Sequence, residues 1–333
     1  MKKELVLSAI RHVETEKVPY GIYFTTAAIE KYKKQLEDDF LDSELKAAVK
    51  DGFFNFYEAL AIGMGNHVIS ISIPWWNWKE VDHSYYTSFT PPDYIPKTAG
   101  YGSYSHFEEK SDYLQKKGFY VLGTAYGSHF EKANFCRGIE NFLADLAGEP
   151  DYAKKLLGEI IRKNLVMLEN IVNSNLDGVL LGSDWGSQQS MLMSPAIWRE
   201  LIKPGEIQEY EIIKKAGKHV WIHSCGNIEQ IIPDLVEMGI DVLNPVQPEV
   251  MDIYELKANY GTKLTFWGGI TTQRILPHGS PDEVMTETRN VISGMSRGGG
   301  FITSPSQAYQ VDVPYINTIA LLEEARNYRN IID

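Results

Sequence analysis

Two cysteines, Cys136 and Cys225, are all that 333 residues contain. Disulfides are therefore not what organises this chain, and a reducing, cytoplasmic compartment is expected. No apolar run reaches the ~18 residues of a membrane span. The opening, Met1-Lys2-Lys3-Glu4-Leu5, carries an acidic residue and no long apolar stretch after it, so no signal peptide is expected. No block rich in Lys and Arg stands out and the formal net charge is −12, which argues against a nucleic-acid partner. Neither a GxGxxG nor a GxxxxGK phosphate loop occurs. No low-complexity segment or linker marks a domain boundary, so residues 1–333 read as a single domain.

What is present is a regular beat. From residue 178 onward short apolar runs alternate with helical patterns: 178–181, 219–223, 241–243, 264–267 and 301–303 read as strands. Segments 195–216, 228–238, 252–260, 281–295 and 313–329 read as helices. Short connectors between them predict parallel strands joined by crossover helices. Earlier runs at 18–24, 67–73 and 119–124 bring the strand count to eight. Helices are expected at 4–12, 27–37, 43–51, 107–117, 139–147 and 152–173. Eight such repeats predict an α/β fold, a (β/α)8 TIM barrel, and the length suits one, since about 250 residues or more are commonly needed. Residues 75–104 break the beat. They are crowded with Trp, Tyr, Pro and Gly and read as an aromatic-rich excursion over the barrel mouth: either an apolar cluster under a long loop or a wall for a flat ligand.

In such barrels the chemistry lies at the C-terminal ends of the strands. The segment Val220-Trp221-Ile222-His223-Ser224-Cys225-Gly226 places an imidazole and a thiol two residues apart where a buried strand opens. Both are metal ligands, and a thiolate suits zinc well. A turn glycine beside a core cysteine and a surface histidine would leave the same letters. Asp184, between Gly182 and Gly186 after another apolar run, is either a turn-forming residue or a carboxylate facing the barrel mouth. Asp184 and His223 are the catalytic candidates, and Asp184, His223 and Cys225 the metal ligands. Other strand ends offer Thr25, Tyr126, Asn244, Gln247, Ser306 and Gln307 as candidate substrate contacts. Cys136 reads as a packed core cysteine.

The stretches Leu181 to Gln188, His223-Ser224-Cys225-Gly226, Asp241 to Gln247, Gly268-Gly269-Ile270, Pro305-Ser306 and Asp312-Val313-Pro314, with the opening Arg11 to Pro19, together resemble the uroporphyrinogen decarboxylase superfamily. The resemblance spans nearly the whole chain and is weakest at 75–118. It implies a TIM barrel and two candidate chemistries. One is cofactor-free decarboxylation of a porphyrinogen. The other is methyl transfer between a small molecule and a corrinoid (cobalamin) protein by zinc enzymes that carry a His-x-Cys motif and a later Cys. His223 and Cys225 match the motif. Thr303-Ser304-Pro305-Ser306 stands where the later Cys is expected; Asp184 could supply an oxygen ligand in its place, and Gln307 would be a poor one. The decarboxylase branch holds its substrate's carboxylates with an arginine-rich segment near its N-terminus, and Pro19 to Thr26 contains no arginine. A polyanionic porphyrinogen would also meet a net charge of −12. The resemblance therefore points to a zinc-dependent methyltransferase served by a corrinoid on a partner protein. A tetrapyrrole decarboxylase is the alternative, and a non-catalytic corrinoid-docking barrel the second. Members of the superfamily often pair as homodimers, and the same is expected here.

Overall fold

The computed structural model describes residues 2–74, 103–125 and 127–331. Almost all of the aromatic-rich stretch, and Tyr126, lie outside the described residues; Tyr104 already belongs to the helix Tyr104–Lys116. Strands and helices alternate along the chain. The strands are β1 (Val68–Ser72), β2 (Tyr120–Ala125), β3 (Gly178–Gly182), β4 (His219–His223), β5 (Val242–Val246), β6 (Thr265–Ile270) and β7 (Phe301–Pro305). At least one helix stands between each pair of successive strands. The fold is α/β, of the TIM-barrel type, as expected.

The residues fall into two compact units. The first holds Met1–Ser70, Tyr113–Val121 and Asp241–Asp333; the second holds Ile71–Asp112 and Leu122–Ile240. In the second unit β2 pairs with β3 and β3 with β4, both parallel. Every residue of β3 is buried, as are Val220, Trp221 and Ile222 of β4. Strands covered on both faces read as continuous apolar runs rather than as alternation, which is why they stood out in the sequence. The helix Pro150–Ile171 begins with proline in its first turn, where the missing N–H costs nothing, and buries a stripe that includes Leu157, Ile160, Ile161, Leu168 and Ile171.

In the first unit β5, β6 and β7 pair in parallel, and β6 and β7 are buried throughout. The expected strand at 18–24 is not one. The segment's backbone pairs with β7 and the chain beyond it through isolated parallel bridges, Tyr20 to Thr303 and Phe24 to Tyr309. Pro19 has no N–H to give a ladder, and the Tyr20 N–H goes to His67 Nδ1 at 3.2 Å instead of to a carbonyl. Seven strands are present among the described residues, not eight.

The helix expected over 195–216 is interrupted. Residues Pro195–Ile197 begin it, Trp198–Ile202 form a π-helical turn, and Lys203–Lys215 continue as α-helix. Pro204 explains the interruption. Its ring would clash with the carbonyl four residues back, so the chain widens there and the Lys203 N–H reaches the Trp198 carbonyl, five residues back. Three helices had no signal clear enough to anticipate, Phe56–Gly63, His129–Arg137 and the short Ile275–His278.

Candidate functional site

The end of β3 and the end of β4 are fastened to each other by two backbone hydrogen bonds and one to a serine hydroxyl. The Ser183 N–H donates to the His223 carbonyl at 2.9 Å, the Trp185 N–H to Ser224 Oγ at 3.1 Å, and the Asn227 N–H to the Ser187 carbonyl at 2.8 Å. Two glycines allow this approach. A Cβ on Gly186 would stand 2.7 Å from the Cys225 carbonyl oxygen, and one on Gly226 would stand 2.3 Å from the carbonyl carbon of Gly186. Gly226 also has φ of +81°, a conformation that costs other residues free energy. Side-chain alternation then does the sorting: Trp185 is fully buried, edge-on to Trp198 at 5.4 Å, while Asp184 faces outward.

This brings three of the expected residues together. Cys225 Sγ lies 3.3 Å from His223 Nε2, and His223 Nε2 lies 3.6 Å from Asp184 Oδ1. The same Asp184 oxygen accepts the Cys225 N–H at 2.9 Å. Asp184 and His223 are partly exposed, with 46% and 28% of their side-chain surface open to solvent. All three ligand atoms fall within 4.8 Å of one another. A tetrahedral zinc ion with ordinary bond lengths needs roughly 3.3–3.7 Å between its N, O and S ligands. The two separations above lie in that range, and the S, N, O donor set is one zinc accepts. The residues fit the ion.

Behind this trio stands a residue the sequence reading passed over. Glu131, on His129–Arg137, accepts the Asp184 N–H at Oε1 over 2.9 Å. Its carboxyl is pushed above the ordinary range, first by burial and then by the negative charge of Asp184, against the pull of that hydrogen bond. Because its helix was not foreseen, nothing in the sequence tied Glu131 to Asp184.

The other candidates belong to the first unit, apart from Tyr126. Thr25 caps the helix Thr26–Phe40: its Oγ1 accepts the Ala28 N–H and donates to the Tyr309 carbonyl. Asn244 is half-buried and donates to the Trp267 carbonyl at 3.2 Å. Gln247 is buried and Gln307 half-buried. Ser306 is fully buried, its Oγ 3.1 Å from the Thr272 hydroxyl and 3.3 Å from Glu249 Oε2. Glu249 also accepts the Thr272 and Gln273 N–H groups, so it ties together the turns that follow β6 and β7. Cys136 is a buried cysteine, as expected.

A model of the uroporphyrinogen decarboxylase (URO-D) family matches residues 120–328. The chain belongs to the uroporphyrinogen decarboxylase family. Its β3, β4, β5, β6 and β7, with Asp184, His223 and Cys225, all lie inside the matched region. Among solved structures, this family member is similar to a methyltransferase from Methanosarcina mazei, at 15% identity and a TM-score of 0.69, over 98% of each chain. It is also similar to a putative vitamin-B12 independent methionine synthase from Listeria monocytogenes, at 12% identity and a TM-score of 0.51, over 94% of this chain and 98% of that one. At such identities these likenesses concern the fold. No curated protein matches the sequence. No helix among the described residues is long and apolar enough to cross a membrane.

Proposed function

We propose that this protein is a zinc-dependent methyltransferase that moves a methyl group between a small molecule and a corrinoid carried by a partner protein. The observation that carries the reading is the convergence of Cys225 Sγ, His223 Nε2 and Asp184 Oδ1 at the open end of β3 and β4. A decarboxylase that uses no cofactor has no need of a thiol in contact with an imidazole. The methyltransferase from Methanosarcina mazei, matched over 98% of each chain, supports the same choice.

Cys225 as thiolate, His223 through Nε2 and Asp184 through Oδ1 would hold the ion. Bound zinc supplies Lewis acidity toward sulfur, oxygen or nitrogen, lowering the pKa of an acceptor thiol or polarising the heteroatom of a methyl donor. The protein's own groups prepare the site. Asp184 holds the Cys225 backbone by accepting its N–H, so the carboxylate and the thiol keep one spacing. Glu131 holds Asp184 in turn from the buried side. Three protein ligands leave a fourth position for the heteroatom of the substrate, the arrangement of catalytic rather than structural zinc. The partner corrinoid protein, the cytoplasmic location and the homodimer are parts of the same proposal.

Metal content decides it. Protein purified without chelator is expected to hold zinc that His223→Ala and Cys225→Ala both lose, and only when zinc is bound to move a methyl group from a donor to cob(I)alamin, or from methylcob(III)alamin to an acceptor thiol with return of cob(I)alamin. A wild-type protein that takes up no zinc at this site, even after reconstitution, overturns the reading. Turnover of a porphyrinogen by such metal-free protein would establish decarboxylation, the family's other chemistry, instead.

A further inference from the structure

Beside the end of β3, in the same unit, the core holds a second group of metal-ligating side chains that the proposed reaction does not use. His129, Glu206 and Glu209 are each fully buried. His129 Nδ1 lies 3.3 Å from Glu209 Oε2 and 3.5 Å from Glu206 Oε1, and the three ligand atoms fall within 4.8 Å of one another. Glu206 and Glu209 are three apart on the helix Lys203–Lys215, so both carboxylates leave the same face.

The tautomer of His129 is fixed from its far side. Nε2 is 3.1 Å from the Ile202 carbonyl, which can only accept, so the Nε2 proton is present. In the neutral ring Nδ1 therefore carries a lone pair, aimed at two carboxylates. That is the usual state of a metal-bound histidine, whose other ring N–H donates to a carbonyl or carboxylate. With no metal bound, a proton takes that place: burial lowers the His129 pKa, but the charges of Glu209 and Glu206 outweigh it and raise it, so Nδ1–H faces the carboxylates, and a metal ion would displace that proton.

The surroundings are shaped for the imidazole. Gly205 leaves room for the ring: a Cβ there would stand 2.9 Å from both Cε1 and Nε2 of His129. Asn164 donates to Glu209 Oε1 at 2.7 Å, and Ser128 Oγ lies 3.4 Å from Glu206 Oε1. The second oxygen, Glu206 Oε2, and the Tyr210 hydroxyl are both buried, and Tyr210 interacts with the Glu206 carboxyl only loosely, without close hydrogen-bond geometry. Two buried carboxylates side by side are costly unless positive charge completes their shell. Lys132, the buried ammonium on the helix that carries His129, donates to the Gly127 carbonyl, and its charge also acts on Glu209.

We propose that His129 Nδ1 and the carboxylates of Glu206 and Glu209 bind a divalent first-row metal ion, such as zinc or manganese, in a buried structural site separate from Asp184, His223 and Cys225. The donors are one nitrogen and carboxylate oxygens with no sulfur, a set that suits zinc, manganese or ferrous iron. The separations of 3.3 and 3.5 Å match the distances between ligands around such an ion. The ion would pin the helix His129–Arg137 to the helix Lys203–Lys215. Glu131, two residues from His129, holds Asp184, and Ser128 hydrogen-bonds Ser183, so the pinned helix is the floor of the open site.

The test counts metal in the full-length protein by elemental analysis after exposure to chelator, reloading with zinc or manganese, and gel filtration. The double variant His223→Ala/Cys225→Ala is expected to retain about one ion per chain. Adding Glu206→Gln and Glu209→Gln to it is expected to abolish that ion while circular dichroism stays native. A His223→Ala/Cys225→Ala protein that folds and retains no ion overturns the proposal, whatever the quadruple variant does. The two sites fail separately. If wild type and the double variant each carry one ion, the buried site stands and the zinc reading of the open site falls. If wild type carries one and the double variant none, the reverse holds. Cobalt substitution tells them apart by colour, because only a thiolate ligand gives sulfur-to-cobalt charge transfer; an equal thiolate band in wild type and the double variant would place the retained ion elsewhere and overturn the proposal.

Discussion

Asp184 Oδ1 accepts the Cys225 N–H at 2.9 Å while standing 3.6 Å from His223 Nε2, so one oxygen both shapes the loop that carries the thiol and faces the imidazole. The two roles separate by substitution. Asp184→Asn keeps an oxygen acceptor for the N–H and removes the charge. It is expected to leave the melting temperature within a degree or two, while zinc affinity measured by competition with a chromophoric chelator falls roughly 10-fold or more. Asp184→Ala is expected to lose affinity too and, in addition, about 1 kcal/mol of stability in urea titration, from the unpaired amide.

Gly226 admits no side chain. Its φ of +81° and the 2.3 Å approach to the Gly186 carbonyl carbon both exclude a Cβ. Gly226→Ala is expected to cost roughly 2 kcal/mol or more and to part the β3 and β4 loops, with metal binding lost alongside stability. Gly186→Ala tests the same contact from the other side. Native stability and full metal content in both variants would show that the two loops do not need this approach.

Glu131 supports Asp184 through an acceptor, and that is what its substitutions probe. Glu131→Gln retains a carbonyl oxygen and is expected to be mild, while Glu131→Ala leaves the Asp184 amide unpaired and is expected to cost roughly 1–3 kcal/mol. Chemical denaturation of the two variants side by side checks the ordering.

His67 is expected to make the protein acid-sensitive. Its Nδ1 accepts the Tyr20 N–H, and burial, followed by the positive charges of Lys2 and Lys17, brings its pKa down to about 4 from an ordinary value of 6.5. The unfolded chain therefore binds this proton more readily than the folded one. Stability is complete above about pH 6.5 and is lost as pH falls toward about 4, by at most about 3 kcal/mol. His67→Gln is expected to flatten that part of the stability-against-pH curve. An unchanged curve would mean that other groups govern acid unfolding.

The strands legible in the sequence were those buried on both faces, such as β3 and β4, whose apolar runs stop at polar turns. Asp184, His223 and Cys225 were legible for the same reason, because each follows such a run by a fixed few residues. What stayed hidden depends on partners distant in sequence. Segment 18–24 has strand-like composition, yet His67 takes the Tyr20 N–H that a ladder would need. Ser306 resembled a substrate contact, and its hydroxyl turns inward to Thr272 and Glu249. Glu131 and His129 sit on a short helix with little hydrophobic periodicity, so neither declared a role.

The π-helical turn at Trp198–Ile202 has a consequence for heredity rather than for chemistry. A turn of this kind holds one residue more than an α-helical turn, and each residue advances a helix by about 100°. Losing one codon in this stretch would let regular α-helix run through Pro204 only with a new clash, or else swing everything downstream around the axis. Glu206 and Glu209 would then face away from His129 with no change to their own letters. Substitutions are the tolerable currency of variation here, and single-residue insertions and deletions are not. A deletion scan across residues 196–204, read by soluble yield, is expected to show a sharp minimum at the turn and recovery on either side.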